Sequence, residues 1–149
     1  MEVQKDFKEF LALLNAHEVD FMIVGGYALA YHGAPRYTGD IDVFIKSDNK
    51  NAQRIIKVLE KFGFSSLELS SDDFQKKDRV VQLGLPPVRI DIITSISGVS
   101  WEQADASKEP GMYGDVPVFY IGKNQYVANK KATGRTKDIA DIEALGEED

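Results

Sequence analysis

Two acids flanking one aliphatic residue, Asp40-Ile41-Asp42, follow a Gly25-Gly26 pair across thirteen intervening residues. In an extended strand alternate side chains share a face, so Asp40 and Asp42 project to one side while Ile41, Val43 and Ile45 project to the other. One face gathers charge and the other buries hydrocarbon. Two carboxylates about 4 Å apart repel by roughly 1 kcal/mol in water and roughly 4 kcal/mol at an effective dielectric of about 20. A divalent cation reverses the sign of that interaction. Oxygen-only ligands suit Mg²⁺, which keeps several waters and takes one or two protein carboxylates together with substrate phosphates. The acid pair therefore points to a nucleotide and its metal.

The glycines follow an apolar run, Phe21-Met22-Ile23-Val24, and precede Tyr27-Ala28-Leu29-Ala30-Tyr31, which reads as a short helix closed by Gly33 and Pro35. Lacking Cβ atoms, Gly25 and Gly26 let a phosphate approach the backbone, and the free N–H groups of a new helix can donate to it. A bare glycine turn is more often punctuation, and an isolated Asp-x-Asp more often a solvated edge. Their combination at this spacing is the informative signal.

A second charged feature lies near the C-terminal end. Lys123, Lys130, Lys131, Arg135 and Lys137 fall in a fifteen-residue window without an acidic residue, although the chain carries a net charge of −6. The window is either a solvated basic helix face or a set of contacts to a triphosphate or an RNA acceptor. Lys130 and Arg135 are the preferred nucleotide contacts.

The segment Val24-Gly25-Gly26 followed by Asp40-Ile41-Asp42-Val43 resembles the signature of the DNA polymerase β-like nucleotidyltransferase superfamily: apolar-Gly-Gly/Ser, a gap of about nine to thirteen residues, then Asp-apolar-Asp/Glu-apolar. Arg36-Tyr37-Thr38 leading into the acids is similar to small prokaryotic members in which Arg-x-Thr takes that place, so Arg36 and Thr38 join Gly25 and Gly26 as expected nucleotide contacts. Asn129 to Ile142 is similar to the closing helices of that subgroup, which includes abortive-infection and toxin–antitoxin nucleotidyltransferases.

The resemblance implies a third carboxylate on a later neighbouring strand. Asp91 in Val88-Arg89-Ile90-Asp91-Ile92-Ile93 is the candidate, because Val88, Ile90 and Ile92 face one way and Arg89 and Asp91 the other. Asp40, Asp42 and Asp91 are thus the expected catalytic and metal-binding residues. The implied activity is transfer of an NMP, AMP by preference, from an NTP to a hydroxyl acceptor by a mechanism using two Mg²⁺ ions, with Mn²⁺ as a substitute. RNA, protein and small molecules all remain open as acceptors, as does a partner protein or a second copy of the chain. The competing expectation is a noncatalytic nucleotide- or partner-binding module of a toxin–antitoxin or abortive-infection system.

The elements that must position these residues follow from periodicity. Phe7, Phe10, Leu11 and Leu14 have the spacing of a helix burying one face, and Ala52, Ile55, Ile56 and Leu59 that of a second, starting near Ser47-Asp48 and stopping at Gly63. Residues 79–83 and 88–93 read as antiparallel strands that carry Asp91 to the metal. Val116 to Ile121 is expected to add an edge strand, Pro117 being compatible only with an edge or a strand start. Helices at about 122–132 and 135–145 are split at Gly134. The expected fold is α+β, a mixed, largely antiparallel central sheet flanked by helices, as one nucleotidyltransferase-like domain over 1–149. The 43% hydrophobic content supports a real core.

Other residue types receive simpler readings. His17 and His32 are too few for zinc without cysteine, of which there is none. His32 is expected to cap helix-end carbonyls, with a nucleotide contact as the alternative. Trp101 and Tyr113, in the least regular stretch, Ser95 to Gly114, either plug a core edge or stack on a base. Ser95 and Ser97 have no histidine placed to make a nucleophile. Without an apolar run near 18 residues or a cleavable leader, no membrane association is expected, and the cytoplasm is the default compartment.

Overall fold

The computed structural model describes residues 3–34, 39–64, 69–85 and 88–146. In chain order these form α1 (Lys5–Ala16), β1 (Phe21–Val24), α2 (Gly25–Tyr31), β2 (Asp40–Ile45), α3 (Asn49–Phe62), a 3-10 turn (Ser71–Phe74), β3 (Val80–Leu85), β4 (Val88–Ile93), α4 (Trp101–Ser107), β5 (Glu109–Tyr113), β6 (Val116–Tyr120), α5 (Lys123–Thr133) and α6 (Thr136–Ala144). The strands join one sheet in the order β3-β4-β2-β1-β6-β5. The β2–β4 and β1–β6 pairs are parallel and the other three are antiparallel, so the sheet is mixed.

The apolar stripes form the core as their periodicity requires. Phe7, Phe10, Leu11 and Leu14 of α1 are buried, as are Ile41, Val43 and Ile45 of β2. Phe10 meets Phe62 of α3 edge to face. Asp48 caps α3 by accepting the Asn51 backbone N–H at 2.8 Å, and Gly63 ends it in the left-handed conformation at φ 95°. Buried Asn51 ties the first turn of α3 to the sheet. Its Oδ1 accepts from Asp20 N at 2.7 Å, and its Nδ2 donates to Asp20 O at 3.0 Å and Lys46 O at 2.8 Å. Those three bonds fix the start of β1 against the end of β2, away from the acids.

Two expectations are corrected. The stretch from Ser95 to Gly114 is not irregular, because it contains α4 and β5. A capping box starts α4: Ser100 Oγ accepts from Gln103 N at 3.1 Å and Gln103 Oε1 from Ser100 N at 2.9 Å. Nor is Val116–Tyr120 at the edge, since β5 lies outside it and β1 inside. Pro117 is tolerated because β1 pairs with β6 only at Ile23↔Tyr120, beyond the proline. Along that unpaired stretch Asn15 of α1 donates its side-chain amide to Pro117 O at 2.7 Å.

Candidate active site

The sheet register sets two parallel rows of side chains across the central strands. Val24, Asp42, Asp91 and Gln82 stand level on β1, β2, β4 and β3, and Asp40, Arg89 and Gly84 stand level on β2, β4 and β3. In-register neighbours share a face, so the parallel β2–β4 pairing gathers Asp40, Asp42 and Asp91 as the strand alternation anticipated. Asp91 is 7% exposed, which makes it a buried acid among acids.

Arg89 holds this cluster together. Its Nη2 donates to Asp40 Oδ2 at 2.7 Å and to Asp91 Oδ2 at 3.1 Å, while Nε donates to Asp91 Oδ1 at 2.9 Å. The hydrogen bonds to Asp91, then the Asp91 and Asp40 charges, outweigh burial and raise the guanidinium above its ordinary value. Asp42 is less well served. Burial, the Asp91 charge, a hydrogen bond shared with Asp91 and the Asp40 charge push its carboxyl from 3.8 up to about 6, against the opposing pull of Lys130.

Gly25 explains how Asp42 fits. It has φ +67°, and a Cβ built there would fall on Asp42 Oδ2. Both its backbone conformation and the space above it therefore require glycine. The gap at Gly25 is filled by the Asp42 carboxylate, a demand on that glycine additional to phosphate access. Gly26 continues into α2, whose end is tied down by His32. Nε2 of that ring lies 2.6 Å from Ile121 O, so it carries the proton and bridges to the end of β6 rather than capping its own helix.

The basic window meets the acids at Lys130. Its ammonium lies 3.4 Å from Asp138 Oδ1, is 12% exposed on its side chain, and is near enough to lower the Asp42 pKa. Arg135 takes another partner: Nε and Nη2 grip the Asp138 carboxylate at 2.7 and 3.1 Å, and Thr133 Oγ1 donates to it at 2.6 Å. Burial pushes the Asp138 carboxyl up. The Arg135 and Thr133 hydrogen bonds and the Lys130 and Arg135 charges overcome this and hold it well below the usual carboxylate range. Asp138 has no exposed surface. It is the residue just past the acid-free window, so residue counting missed it. The window is anchored by α5 against the loop after β4, where Asn129 Nδ2 donates to Ser97 O at 2.9 Å and a Cβ on Gly98 would come 2.6 Å from Ala132 Cβ.

Arg36 and Thr38 lie outside the described residues. Trp101 and Tyr113 are packing residues: Trp101 meets Phe44 edge to face at 5.2 Å, and buried Tyr113 packs on Tyr27 and accepts the Gln4 N–H at 2.7 Å. Among the described residues no three acidic or imidazole side chains surround a single point as a finished metal cage. The donor chemistry nonetheless fits hard divalent cations. The carboxylates of Asp40, Asp42 and Asp91 converge, and burial together with the Asp91 and Asp40 charges pushes the Asp42 carboxyl up to about 6.

The family model of AbiEii nucleotidyl transferase toxins, from type IV toxin–antitoxin systems, matches residues 10–105. The chain belongs to this AbiEii family. The matched residues include β1, β2 and β4 with their acids and end before α5. No curated protein matches the AbiEii-family chain significantly over its sequence. The lincosamide antibiotic adenylyltransferase LnuA, solved with lincomycin bound, has 16% identity and a TM-score of 0.58, covering 98% of each chain. The antibiotic-resistance factor ANT(2'')-Ia has 14% identity and a TM-score of 0.60, covering 94% of this chain and 80% of its own. An antigenic nucleotidyltransferase-like protein of Paracoccidioides brasiliensis has 21% identity and a TM-score of 0.53, covering 96% and 77%. At these identities the likeness shows the shared fold. Family membership makes the chain a nucleotidyltransferase. Among the described residues no helix is long and apolar enough to cross a membrane.

Proposed function

We propose that this nucleotidyltransferase moves an NMP, AMP by preference, from an NTP to a hydroxyl acceptor in RNA, protein or a small molecule. The observation that carries the reading is the level placement of Asp42 and Asp91 on adjacent parallel strands, over a glycine that leaves room for the acid. Asp40, Asp42 and Asp91 would hold two Mg²⁺ ions, with Mn²⁺ as substitute. When bound, such ions neutralise charge on the transferring phosphoryl group and acidify the acceptor hydroxyl.

The chain's own groups orient and balance that step. Asp91 accepts the acceptor's proton as the new oxygen–phosphorus bond forms at the α-phosphorus and the bond to pyrophosphate breaks. Lys130, already within the field of Asp42, neutralises phosphate charge, and the Gly25-Gly26 backbone borders the phosphates. Arg36 and Thr38 are assigned to the nucleotide through the resemblance. Arg135 acts through Asp138, which it holds in place to orient Lys130.

The reading is tested by incubating the purified protein with Mg²⁺, α-labelled NTPs and cell extract, then asking whether label enters RNA, protein or small molecules. Label in one class identifies the acceptor; no metal-dependent incorporation from any NTP defeats the proposal. Lys130→Met should raise the apparent nucleotide KM several-fold. An unchanged KM would leave the lysine only its contact with Asp138.

A further inference from the structure

We infer that Arg89 is an internal counter-cation that competes with divalent metal for Asp40 and Asp91, so metal enters by displacing the guanidinium. The inference rests on the proposed metal-binding role of the acids. Arg89 engages one oxygen of Asp40 and both oxygens of Asp91 at 2.7–3.1 Å. These are carboxylates an incoming cation would use, so the guanidinium and the metal exclude one another. A guanidinium does not deprotonate at accessible pH, unlike an ammonium in a crowded site. Competition is therefore settled by displacement and not by loss of charge.

The surroundings allow that displacement. The Arg89 side chain is 25% exposed, and its level neighbour on β3 is Gly84, which has no side chain to confine it. Without the guanidinium, Asp40, Asp42 and Asp91 would repel one another on adjacent strands. Arg89 thus keeps the acids gathered before metal arrives, and the same contacts weaken metal binding. Substitution should separate these effects: the metal-free fold loses stability while metal affinity rises.

The test is Mn²⁺ binding, followed through the EPR signal of the free ion, together with thermal melting in EDTA and in Mn²⁺. Arg89→Gln should bind Mn²⁺ roughly tenfold tighter than the unsubstituted protein, melt lower in EDTA, and gain more from Mn²⁺. Arg89→Lys keeps the charge without the fork and should bind with intermediate affinity. Binding by Arg89→Gln that equals or falls below that of the unsubstituted protein would overturn the counter-cation role. Should Arg89→Gln fail to fold, Arg89→Lys decides by the same criterion: tighter binding supports the role, while equal or weaker binding overturns it. Asp42→Asn should bind Mn²⁺ at least about tenfold more weakly. Unchanged binding there would instead overturn the metal-binding role of the acids.

Discussion

Two clusters in this molecule combine carboxylates and cations in different arrangements. On β2 and β4 Arg89 pairs with Asp40 and Asp91, while Asp42 hydrogen-bonds Asp91 and lies in the field of both acids. Between α5 and α6 the carboxylate of Asp138 is held by Arg135, Lys130 and Thr133, with Asp141 also in the field of Arg135. Burial raises both carboxyls: the neighbouring acids add to it at Asp42, which is pushed up to about 6, whereas hydrogen bonds and cations overcome it at Asp138, which is held well below the carboxylate range. A balanced cluster behaves as a strut. An acid crowded by other acids retains a demand for positive charge, and that demand is what a metal–nucleotide complex would meet.

The sharpest way to break the contrast is Asp42→Asn. Transfer of label from an α-labelled NTP should fall by at least about a hundredfold, while the melting temperature in EDTA rises because a half-buried, crowded carboxylate has become neutral. Wild-type transfer by this variant would sink the site assignment.

Asp138→Ala should do the reverse to stability. Removing the acceptor from a buried, satisfied pair costs about 4 kcal/mol, which for a chain of this size lowers the melting temperature by roughly 10 °C. A loss under about 1 kcal/mol in a denaturant titration would show that Asp138 is no strut.

The two acids should also respond oppositely to pH in metal-free protein. Between about pH 4 and 6 folded Asp42 holds a proton that the unfolded chain, with its ordinary value of 3.8, has released. Lowering the pH through that window should therefore stabilise the fold, by about 2 to 3 kcal/mol at most. Asp138 stays ionised in the fold where the unfolded chain takes up a proton, so its contribution is lost as the pH drops below about 4. Melting curves across pH on wild type, Asp42→Asn and Asp138→Asn should assign each slope to its acid; a slope that survives its own substitution has another source.

The smallest change is expected from Arg135→Ala. That side chain is 64% exposed, so its ion pair is worth under about 1 kcal/mol. A larger loss would mean that Arg135, rather than Lys130, carries the balance at Asp138.

Much of this architecture can be read from local pattern. The alternation in Asp40-Ile41-Asp42-Val43 and in Arg89-Ile90-Asp91-Ile92 dictates which side chains share a face, and Asp48 and Gly63 mark the ends of α3 through backbone chemistry. The missed features depend on long-range geometry or weak patterning. Arg89 reaches Asp40 only because β2 and β4 are parallel neighbours, a fact no short window contains. Asp138 becomes a buried anchor only once α6 folds back on α5. The strand Glu109-Pro110-Gly111-Met112-Tyr113 lacks alternation and carries a proline and a glycine. By contrast, Ser100-Trp101-Glu102-Gln103 did hold a capping-box signal that could have revealed α4.

The contact between Gly98 and Ala132 acts as a spacer between two charge systems. One residue lies in the loop after the strand that bears Asp91, and the other lies two residues beyond Lys130 on α5. Hydrogen at Gly98, instead of a methyl group, lets α5 pack close against the loop after β4. Enlarging Gly98 would move α5 off that loop before altering any charge. The electrostatic character of the site is therefore adjustable from a position that carries no functional group.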